Sequence, residues 1–341
     1  MKTSAVSGRV LSVVAFFCVL AAGFACADTD AAEPARCSPP GQGIEQGLFD
    51  LKEMDMHLHA GMERPVSLDE WVDLAVTDGR KVLIVLDHRE LYDMTAEEYA
   101  AWLDKEGLPK WYPVGREGKA ALMADLARVN DRNDVVAFRG WEIWEGELDE
   151  GLDREGMSLA EVIGWHISPN SDVPPCGATL LKRVRQIIEV QKEVPVPMIV
   201  FHPFSMRFER VQRDAKQQGK TPSELSVKDY RFFQPGEQDE LVRLLEGRSI
   251  YIEISRSTDR CWDNPVLREA LLADIKPLAD AGVQFTVSTD NHGLANAKSP
   301  FDPKRYCDGL GVTPQNTNTI VRELLALRAK RAVSSHQAHP K

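Results

Sequence analysis

The chain contains 341 residues, with a formal net charge of −11 and 43% hydrophobic residues. This composition is typical of a soluble globular protein and excludes a disordered or a fibrous one. The length suits one large α/β domain or two small ones. The acidic balance argues against nucleic acid as a partner, because binding to a phosphate backbone needs a positively charged surface.

The N-terminus has the three-part layout of a secretory signal peptide, residues 1–27. Lys2 and Arg9 are its only charged residues, an apolar stretch follows them, and Ala25-Cys26-Ala27 forms an A-x-A cleavage site. This pattern predicts export to the periplasm or the extracellular space, with no stable membrane insertion after processing. An uncleaved N-terminal anchor is the alternative, because the apolar stretch approaches the ~18 residues that a membrane span needs.

The rest of the chain divides by composition. Residues 28–48 are rich in alanine, proline and acidic side chains and predict a flexible tether. Residues 49–330 carry the apolar periodicity of one barrel domain. Within it, the polar segment 204–236 predicts an insertion over one face of the barrel, and residues 331–341 form a polar tail.

Four cysteines remain after removal of the signal peptide, and they are far apart in sequence: Cys37, Cys176, Cys261 and Cys307. None belongs to a CxxC pair, which excludes a zinc ribbon. In an oxidising compartment they could form two disulfides in three possible connectivities. Four free thiols are the alternative.

Short apolar runs alternate with segments of helical period along the domain. The runs predict buried strands at Phe49–Asp55, Lys81–Asp87, Val135–Trp144, Met198–Phe204, Ser249–Ser255 and Val283–Thr289. The helical segments begin after Ser67 and continue at Gly118–Val129, Thr179–Val190, Glu237–Leu245, Pro265–Ala279 and Thr317–Leu327. Repeated alternation of strand and helix predicts a largely parallel sheet closed into a barrel.

Six of the eight histidines lie at the ends of predicted strands or in a loop between two of them. His57 and His59 end the Asp55-Met56-His57-Leu58-His59 segment. Residues two apart on a strand share a face, so both imidazoles can reach one metal ion. Asp290 and His292 repeat this spacing after the last run. A hydrogen-bonded structural role is the alternative for any single histidine.

Two glutamates lie inside otherwise apolar runs, Glu142 in the third and Glu253 in the fifth. A buried carboxylate is costly without a cation or a hydrogen-bond network, which favours a functional site. His88 and His202 close the second and fourth runs. Because barrel active sites form at the C-terminal rim of the strands, these positions together predict a polynuclear metal site there.

The order of these motifs resembles the polymerase and histidinol phosphatase (PHP) family of metal-dependent phosphoesterases. The family marks are D-x-H-x-H, D-H, G-x-E, H-P, E-x-N and D-x-H. Over roughly residues 50–295 this chain supplies, in the same order, Asp55/His57/His59, Asp87/His88, Glu142, His202/Pro203, Glu253 and Asp290/His292. The resemblance implies a distorted TIM-like (β/α)7 barrel with its metal site at the C-terminal rim.

The resemblance also implies the ligands of two or three zinc, manganese or iron ions. One ion would be bound by His57, His59, Glu142 and Asp290, a second by Glu142, His166 and His202, and a third by His88 and His292. His166 could instead be a packing residue of a loop. Three-metal members have a further histidine shortly after H-x-H, which this chain lacks. Glu63 could replace it as an oxygen ligand, and without such a ligand the third ion would bind weakly or not at all.

The implied function is that of an exported metal-dependent hydrolase, a phosphoesterase in which a metal-bridging hydroxide attacks a small phosphate ester. Asp290, Arg64 and Arg207 form the predicted catalytic set. The two arginines could supply bidentate contacts to an anionic substrate, or be surface residues.

Two other functions remain open from the sequence. An amidohydrolase, acting on C–N or C–O bonds, would also begin with H-x-H, although Glu142 lies where that superfamily usually has a carbamylated lysine. A non-catalytic periplasmic metal-binding module is the other alternative.

Overall fold

Seven parallel strands form a barrel in the computed structural model, which describes residues 48–144, 160–167, 174–294 and 300–338 and the single positions 148, 157 and 298. Each strand pairs with the next in chain order, so the sheet has the order β1 to β7. The strands are β1 Met54–His59, β2 Val82–His88, β3 Val136–Trp144, β4 Val162–His166, β5 Met198–Phe201, β6 Ile250–Ser255 and β7 Phe285–Ser288.

The barrel is nearly closed where the first strand meets the chain that follows the last one. Leu58 and Asn291 form a parallel bridge, and the His59 N–H donates to the Asn291 carbonyl over 3.2 Å. The Asp290 N–H donates to the His57 carbonyl over 3.0 Å. The predicted TIM-like (β/α)7 barrel is therefore confirmed, and its closure puts the first and last histidine motifs side by side.

Helices connect the strands around the outside of the barrel. They are α1 Leu68–Thr77, α2 Ala96–Glu106, α3 Gly115–Asn130, α4 Gly177–Glu193, α5 Pro203–Gln217, α6 Val227–Tyr230, α7 Glu237–Leu245, α8 Ser257–Trp262, α9 Pro265–Asp280, α10 Lys304–Leu310, α11 Pro314–Thr317 and α12 Thr319–Ala338. Short 3₁₀ helices cover Leu51–Glu53, Arg89–Tyr92 and Pro222–Glu224. Ser67 starts α1 by accepting the Glu70 N–H, and Asn264 starts α9 in the same way. None of the helices described is long and apolar enough to cross a membrane.

The strands are buried on both faces, as expected for a parallel sheet covered by helices. Against that apolar background the buried ionisable side chains stand out. Those with less than 5% exposure in or directly after the strands include Asp55, His57, His59, Asp87, Glu142, His202 and Glu253. A buried ionisable group needs partners that compensate for its lost hydration. These side chains meet at one end of the barrel.

Two strands differ from the sequence prediction. β1 begins at Met54 rather than Phe49, because Asp50 and Glu53 form a capping box that holds Leu51–Glu53 in a 3₁₀ helix. β4 was not predicted as a strand at all. Gly164 lies inside it, and a Cβ there would lie 1.7 Å from the Phe201 ring, so this glycine permits close packing and does not mark a turn.

Of the two alternatives for the cysteines, two disulfides or free thiols, the structure has free thiols at the three cysteines among the described residues, Cys176, Cys261 and Cys307. Two bonds among four cysteines would require one between members of this trio. Cys307 is buried in the core, whereas Cys176 and Cys261 are partly exposed on other helices or their ends. Cys37 lies outside the described residues.

Only some of the predicted domain boundaries fall within the described residues. The signal peptide and the tether up to residue 47 lie outside the described residues. The polar segment 204–236 contains most of α5, all of α6 and a 3₁₀ helix. Helix α12 continues through Ala338, so most of the predicted polar tail is helical.

Candidate metal centre

Eight ionisable side chains meet at the C-terminal rim of the barrel in four overlapping groups of possible metal ligands. Within each group the ligand atoms lie within 4.8 Å of one another. The groups are His57/His59/Glu142, His57/His202/Asp290, Glu142/His166/His202 and His59/His88/His292. The structure thus brings together every ligand that the sequence analysis named, except Glu63, which lies beside the last group.

The H-x-H pair of β1 presents two imidazole nitrogens to one point. The Nε2 atoms of His57 and His59 are 2.8 Å apart, and both face Oε2 of Glu142 at 3.2 and 3.0 Å. Their Nδ1 atoms are held on the other side, by Glu253 at 2.8 Å and Glu63 at 2.6 Å. A carboxylate on Nδ1 fixes the ring and leaves Nε2 free to bind a cation.

Glu142 lies at the centre of the site. This carboxylate projects from β3 and is buried, with Oε2 facing three histidines, whereas Oε1 lies 2.8 Å from Nδ1 of His166 and 3.7 Å from Nε2 of His202. Burial alone would raise the pKa of Glu142, but His57 and His88 hold it well below its usual range. The carboxylate is therefore ionised and can serve two ligand groups at once.

Two residues at the rim have left-handed backbone conformations. His202 follows β5 with φ of 34°, and Asp290 follows β7 with φ of 52°. Oδ1 of Asp290 lies 3.5 Å from His57 Nε2 and Oδ2 lies 4.0 Å from His202 Nε2. Nδ1 of His202 is buried and has no hydrogen-bond partner among the described residues. Side chains held this way at a strained backbone indicate a functional constraint.

The His59/His88/His292 group, called the third group because it contains the predicted ligands of the third ion, surrounds Glu63. The rings of His59 and His292 stack with centroids 3.7 Å apart, and the ring of His88 lies 5.0 Å from that of His59 and 6.1 Å from that of His292. Oε1 of Glu63 is 3.8 Å from His88 Nε2, and Oε2 is 3.5 Å from His292 Nδ1. The predicted oxygen ligand is thus within reach of this group, although its closest contact is the outward nitrogen of His59.

The pKa values of these histidines indicate that the buried carboxylates require positive charge beside them. Burial lowers the pKa of His88, but Glu142 and Glu63 outweigh it and raise the pKa to about 10. For His292, burial is likewise outweighed by Asp290 and Glu63, and the pKa rises to about 9. Without another cation the rings must carry protons to balance the buried carboxylates. Divalent metal ions would supply that charge, so the donor set fits them.

A layer of buried hydrogen bonds holds the ligands from below. Glu253 of β6 accepts from Nδ1 of His57, from the Ser288 hydroxyl at 2.5 Å and from the His202 N–H at 2.6 Å. Asp55 accepts from the N–H and the hydroxyl of Thr289 at 2.9 and 2.7 Å. One carboxylate therefore ties β6 to β1, β5 and β7, and the other ties β1 to the residue before Asp290.

Asp87 positions the loop after β1. Its carboxylate accepts the Met62 N–H at 2.5 Å and the Tyr92 hydroxyl. A Cβ on Gly61 would lie within 2.0 Å of that carboxylate, so the loop can approach only with a glycine there. Burial raises the pKa of Asp87 to about 7.

The two predicted substrate arginines take other partners in the structure. Arg64 is 2% exposed; it donates to the Ala60 carbonyl and the Tyr112 hydroxyl, and its guanidinium lies over the Trp111 and Tyr112 rings. Arg207 donates to the Asp229 carbonyl over 3.0 Å. Neither contact involves a metal ligand, and substrate binding by these residues stays a prediction.

Several residues that complete the site were not found from the sequence. Ser288 and Thr289 hold the two buried carboxylates, Tyr92 holds Asp87, and the ring of Phe201 lies 3.8 Å from that of His57. The polar stretch Ser288-Thr289 at the end of a buried strand was the available signal. No local sequence signal marks Tyr92 or Phe201, since aromatic residues are frequent in any core.

Comparisons with known proteins give weak likenesses only. No family model and no curated protein sequence matches the chain. A zinc-containing histidinol phosphate phosphatase of Lactococcus lactis, solved with L-histidinol and phosphate, has a TM-score of 0.43 and 13% identity over 76% of this chain and 92% of its own. An apo protein of Agrobacterium tumefaciens has a TM-score of 0.37 and 10% identity over 77% and 88%. A zinc-bound adenosine deaminase of Xanthomonas campestris has a TM-score of 0.29 and 10% identity over 81% and 62%. Likenesses at this level do not assign the chain to a family.

Proposed function

We propose that the protein is a metal-dependent hydrolase that holds two or three divalent transition-metal ions and cleaves a small phosphate ester. The observation that carries the proposal is the position of Glu142, whose two oxygens face separate sets of histidines. A carboxylate shared in this way is what a bridged, multi-metal centre requires. The ordered PHP-like motifs in the sequence support the same function.

The chain's own residues prepare the site before any substrate arrives. Glu253 and Glu63 hold Nδ1 of His57 and His59, so that each Nε2 lone pair points inward. Bound divalent ions would supply Lewis acidity and lower the pKa of a water molecule towards ~7. Asp290, which lies between His57 and His202, could accept a hydrogen bond from that water.

The substrate class follows from charge. The ligand groups contain six neutral-capable imidazoles but only two carboxylates, Glu142 and Asp290. Two dications exceed the charge of these two carboxylates, and three dications exceed it even when Glu63 and Glu253 are counted, which favours an anionic substrate such as a phosphate ester. The side chain of His292 is 48% exposed, so the third group faces the solvent from which a substrate would enter.

The test combines metal analysis with a substrate panel. We expect elemental analysis of the purified protein, produced in zinc- or manganese-supplemented medium, to find two or three ions per chain. We also expect turnover of phosphomonoesters or phosphodiesters that a chelator abolishes and metal restores. Fewer than one ion per chain would refute the proposal. Turnover of amides or carboxylic esters alone would favour an amidohydrolase, and retained metal without any turnover would favour a binding module.

Export is a separate part of the proposal. It rests on the charged, apolar and small-residue segments of residues 1–27. We expect N-terminal sequencing of protein recovered from the periplasm or the medium to begin at Asp28. Protein that keeps the apolar segment and sediments with membranes would instead support the uncleaved anchor.

A further inference from the structure

A second candidate site lies on the outer wall of the barrel, between α3, α12 and the residues before β4. The cavity there has a volume of about 360 Å³. Its lining includes three apolar side chains, Met123, Leu126 and Ala127, and three arginines, Arg139, Arg328 and Arg331. Arg139 and Glu142 share β3, but they are three positions apart in a regularly paired strand and so lie on opposite faces. The cavity is therefore separate from the metal centre.

Arg139 is the unusual member of this cavity. Its side chain is 1% exposed, and neither Nε nor Nη2 has a hydrogen-bond partner among the described residues. Nη1 contacts the thioether sulfur of Met123, which is a weak acceptor. Burial lowers the pKa of Arg139 to about 10, so the group still carries its charge at neutral pH. A buried guanidinium without an oxygen acceptor is costly, and an incoming oxyanion would remove that cost.

Two carboxylates line the cavity, those of Glu161 and Asp131, and neither accepts a hydrogen bond from the Arg139 guanidinium. Glu161 receives both Nε and Nη2 of Arg328 at 2.8 Å, and it also accepts the main-chain N–H of Arg139 at 3.0 Å. Arg331 is exposed and donates through Nη2 to the Ala160 carbonyl at 3.0 Å. Arg328 is thus neutralised, whereas Arg139 and Arg331 contribute positive charge without a carboxylate partner of their own.

We propose that this cavity binds a small organic anion, whose carboxylate or phosphate group pairs with Arg139 and Arg331 and whose apolar part lies against Leu126 and Ala127. Met123 must first move off the guanidinium of Arg139. Its side chain is 44% exposed and unbranched, so this movement needs no rearrangement of the core. Planar guanidinium groups match carboxylate and phosphate oxygens in bidentate geometry, which explains the choice of ligand class.

Thermal unfolding with two probes, inorganic phosphate and benzoate, tests the site. A ligand that binds the folded state raises the melting temperature, by roughly 2–5 °C near saturation for a domain of this size. We expect at least one probe to do so in the wild type and in Glu142→Gln, where the metal centre is impaired. The rise should be lost in Arg139→Met and kept in Arg132→Met, which removes a neighbouring arginine that pairs with Asp73 and Asp134.

Each experimental result either identifies the class of ligand or overturns the proposal. A response to benzoate alone identifies a carboxylate ligand, and a response to phosphate alone a phosphate ligand. No response to either probe overturns the proposal, as does a response in Glu142→Gln that survives the addition of Arg139→Met, or a response that only Glu142→Gln removes. If Arg139→Met does not fold, Arg331→Gln at its exposed position should weaken binding about tenfold by calorimetric titration. Unchanged affinity in that variant also overturns the proposal.

Discussion

Among the described carboxylates of the metal centre, Glu142 faces the largest number of imidazoles. Its carboxylate lies within 3.7 Å of five imidazoles, those of His57, His59, His88, His166 and His202. Each histidine offers one nitrogen to the centre, whereas Glu142 offers two oxygens to different groups. Its charge therefore influences all four ligand groups, including the two to which it does not itself belong.

Replacement of Glu142 should be more damaging than replacement of any histidine. Glu142→Gln keeps the side-chain shape but removes the negative charge that would offset two cations. We expect metal content to fall at both bridged positions and phosphoester turnover to drop by more than about 100-fold. His292→Ala, at the exposed edge of the third group, should lose mainly one ion. Elemental analysis and turnover of the two variants, measured in parallel, check this. Full metal content in Glu142→Gln would reduce Glu142 to a hydrogen-bonded strand residue.

Glu253 should determine metal affinity without binding the metal itself. Its two oxygens accept from donors on opposite sides, His57 and Ser288 on one and the His202 N–H on the other. In Glu253→Gln the amide nitrogen is itself a donor, and it faces another hydrogen-bond donor in either orientation of the side-chain amide. We expect metal affinity to fall about 10–100-fold, measured by competition with a chromogenic chelator. Glu246→Gln, at an exposed position before the same strand, is the matched control. Equal affinities in the two variants would contradict a positioning role for Glu253.

The ligand residues could be predicted from the sequence, whereas most of their supporting partners could not. His57 and His59, like Asp290 and His292, are separated by two positions at a strand end, and that local spacing determines where they point. Asp87 and Arg64 also lie close in sequence to histidine motifs. Their partners, Tyr92 and Tyr112, contact them only through tertiary packing. Local sequence does not encode such contacts, so the roles of both residues become visible only in the structure.

At the scale of elements, β4 shows where periodicity is insufficient. It is five residues long and contains a glycine, so its sequence resembles a loop as much as a strand. The strand forms because it pairs with β3 and β5 on either side. The strands β2, β3 and β6 and the crossover helices α7 and α9 begin and end within one residue of their predicted limits, since each contains a complete apolar pattern.

The glycine of β4 should be required for packing. In Gly164→Ala the new methyl group would meet the ring of Phe201, which itself lies against His57. We expect the free energy of unfolding to fall by about 1–3 kcal/mol. Gly293→Ala is the control, because no heavy atom lies within 4 Å of its Cβ position, and its effect should stay within about 0.5 kcal/mol. Chemical denaturation of both variants without metal gives the two values. A neutral Gly164→Ala would mean that β4 can shift away from β5.

For the molecule as a whole, the metal centre connects elements that are distant in sequence. Six of the seven described strands, or the residues directly after them, contribute a ligand, and β6 contributes Glu253. Barrel closure between β1 and the residues after β7 joins positions more than 200 apart in the chain. Metal ions at this end would bind to residues that come together only in the folded state. Their binding would therefore stabilise the folded barrel.

Removal of metal should accordingly destabilise the entire barrel. A ligand present at about 1,000 times its dissociation constant adds roughly 4 kcal/mol to the stability of the folded state. We expect the chelator-treated protein to melt at a lower temperature than the metal-loaded protein, as one cooperative transition, and to recover when zinc or manganese is added. Scanning calorimetry measures this. Glu142→Gln should show little difference between the two conditions, and a wild type that behaves like this variant would contradict the prediction.

The left-handed conformations of His202 and Asp290 have a consequence for any attempt to engineer this protein. A non-glycine residue in that region carries a cost of about 1–3 kcal/mol, which the surrounding structure must offset. Selection for thermal resistance alone would therefore favour glycine at both positions, because the relaxed backbone would be more stable when no metal is bound. The same substitutions would remove a ligand from the centre. Heat-tolerant variants selected in the presence of a chelator, without a screen for activity, should thus be enriched in inactive proteins altered at residues 202 and 290.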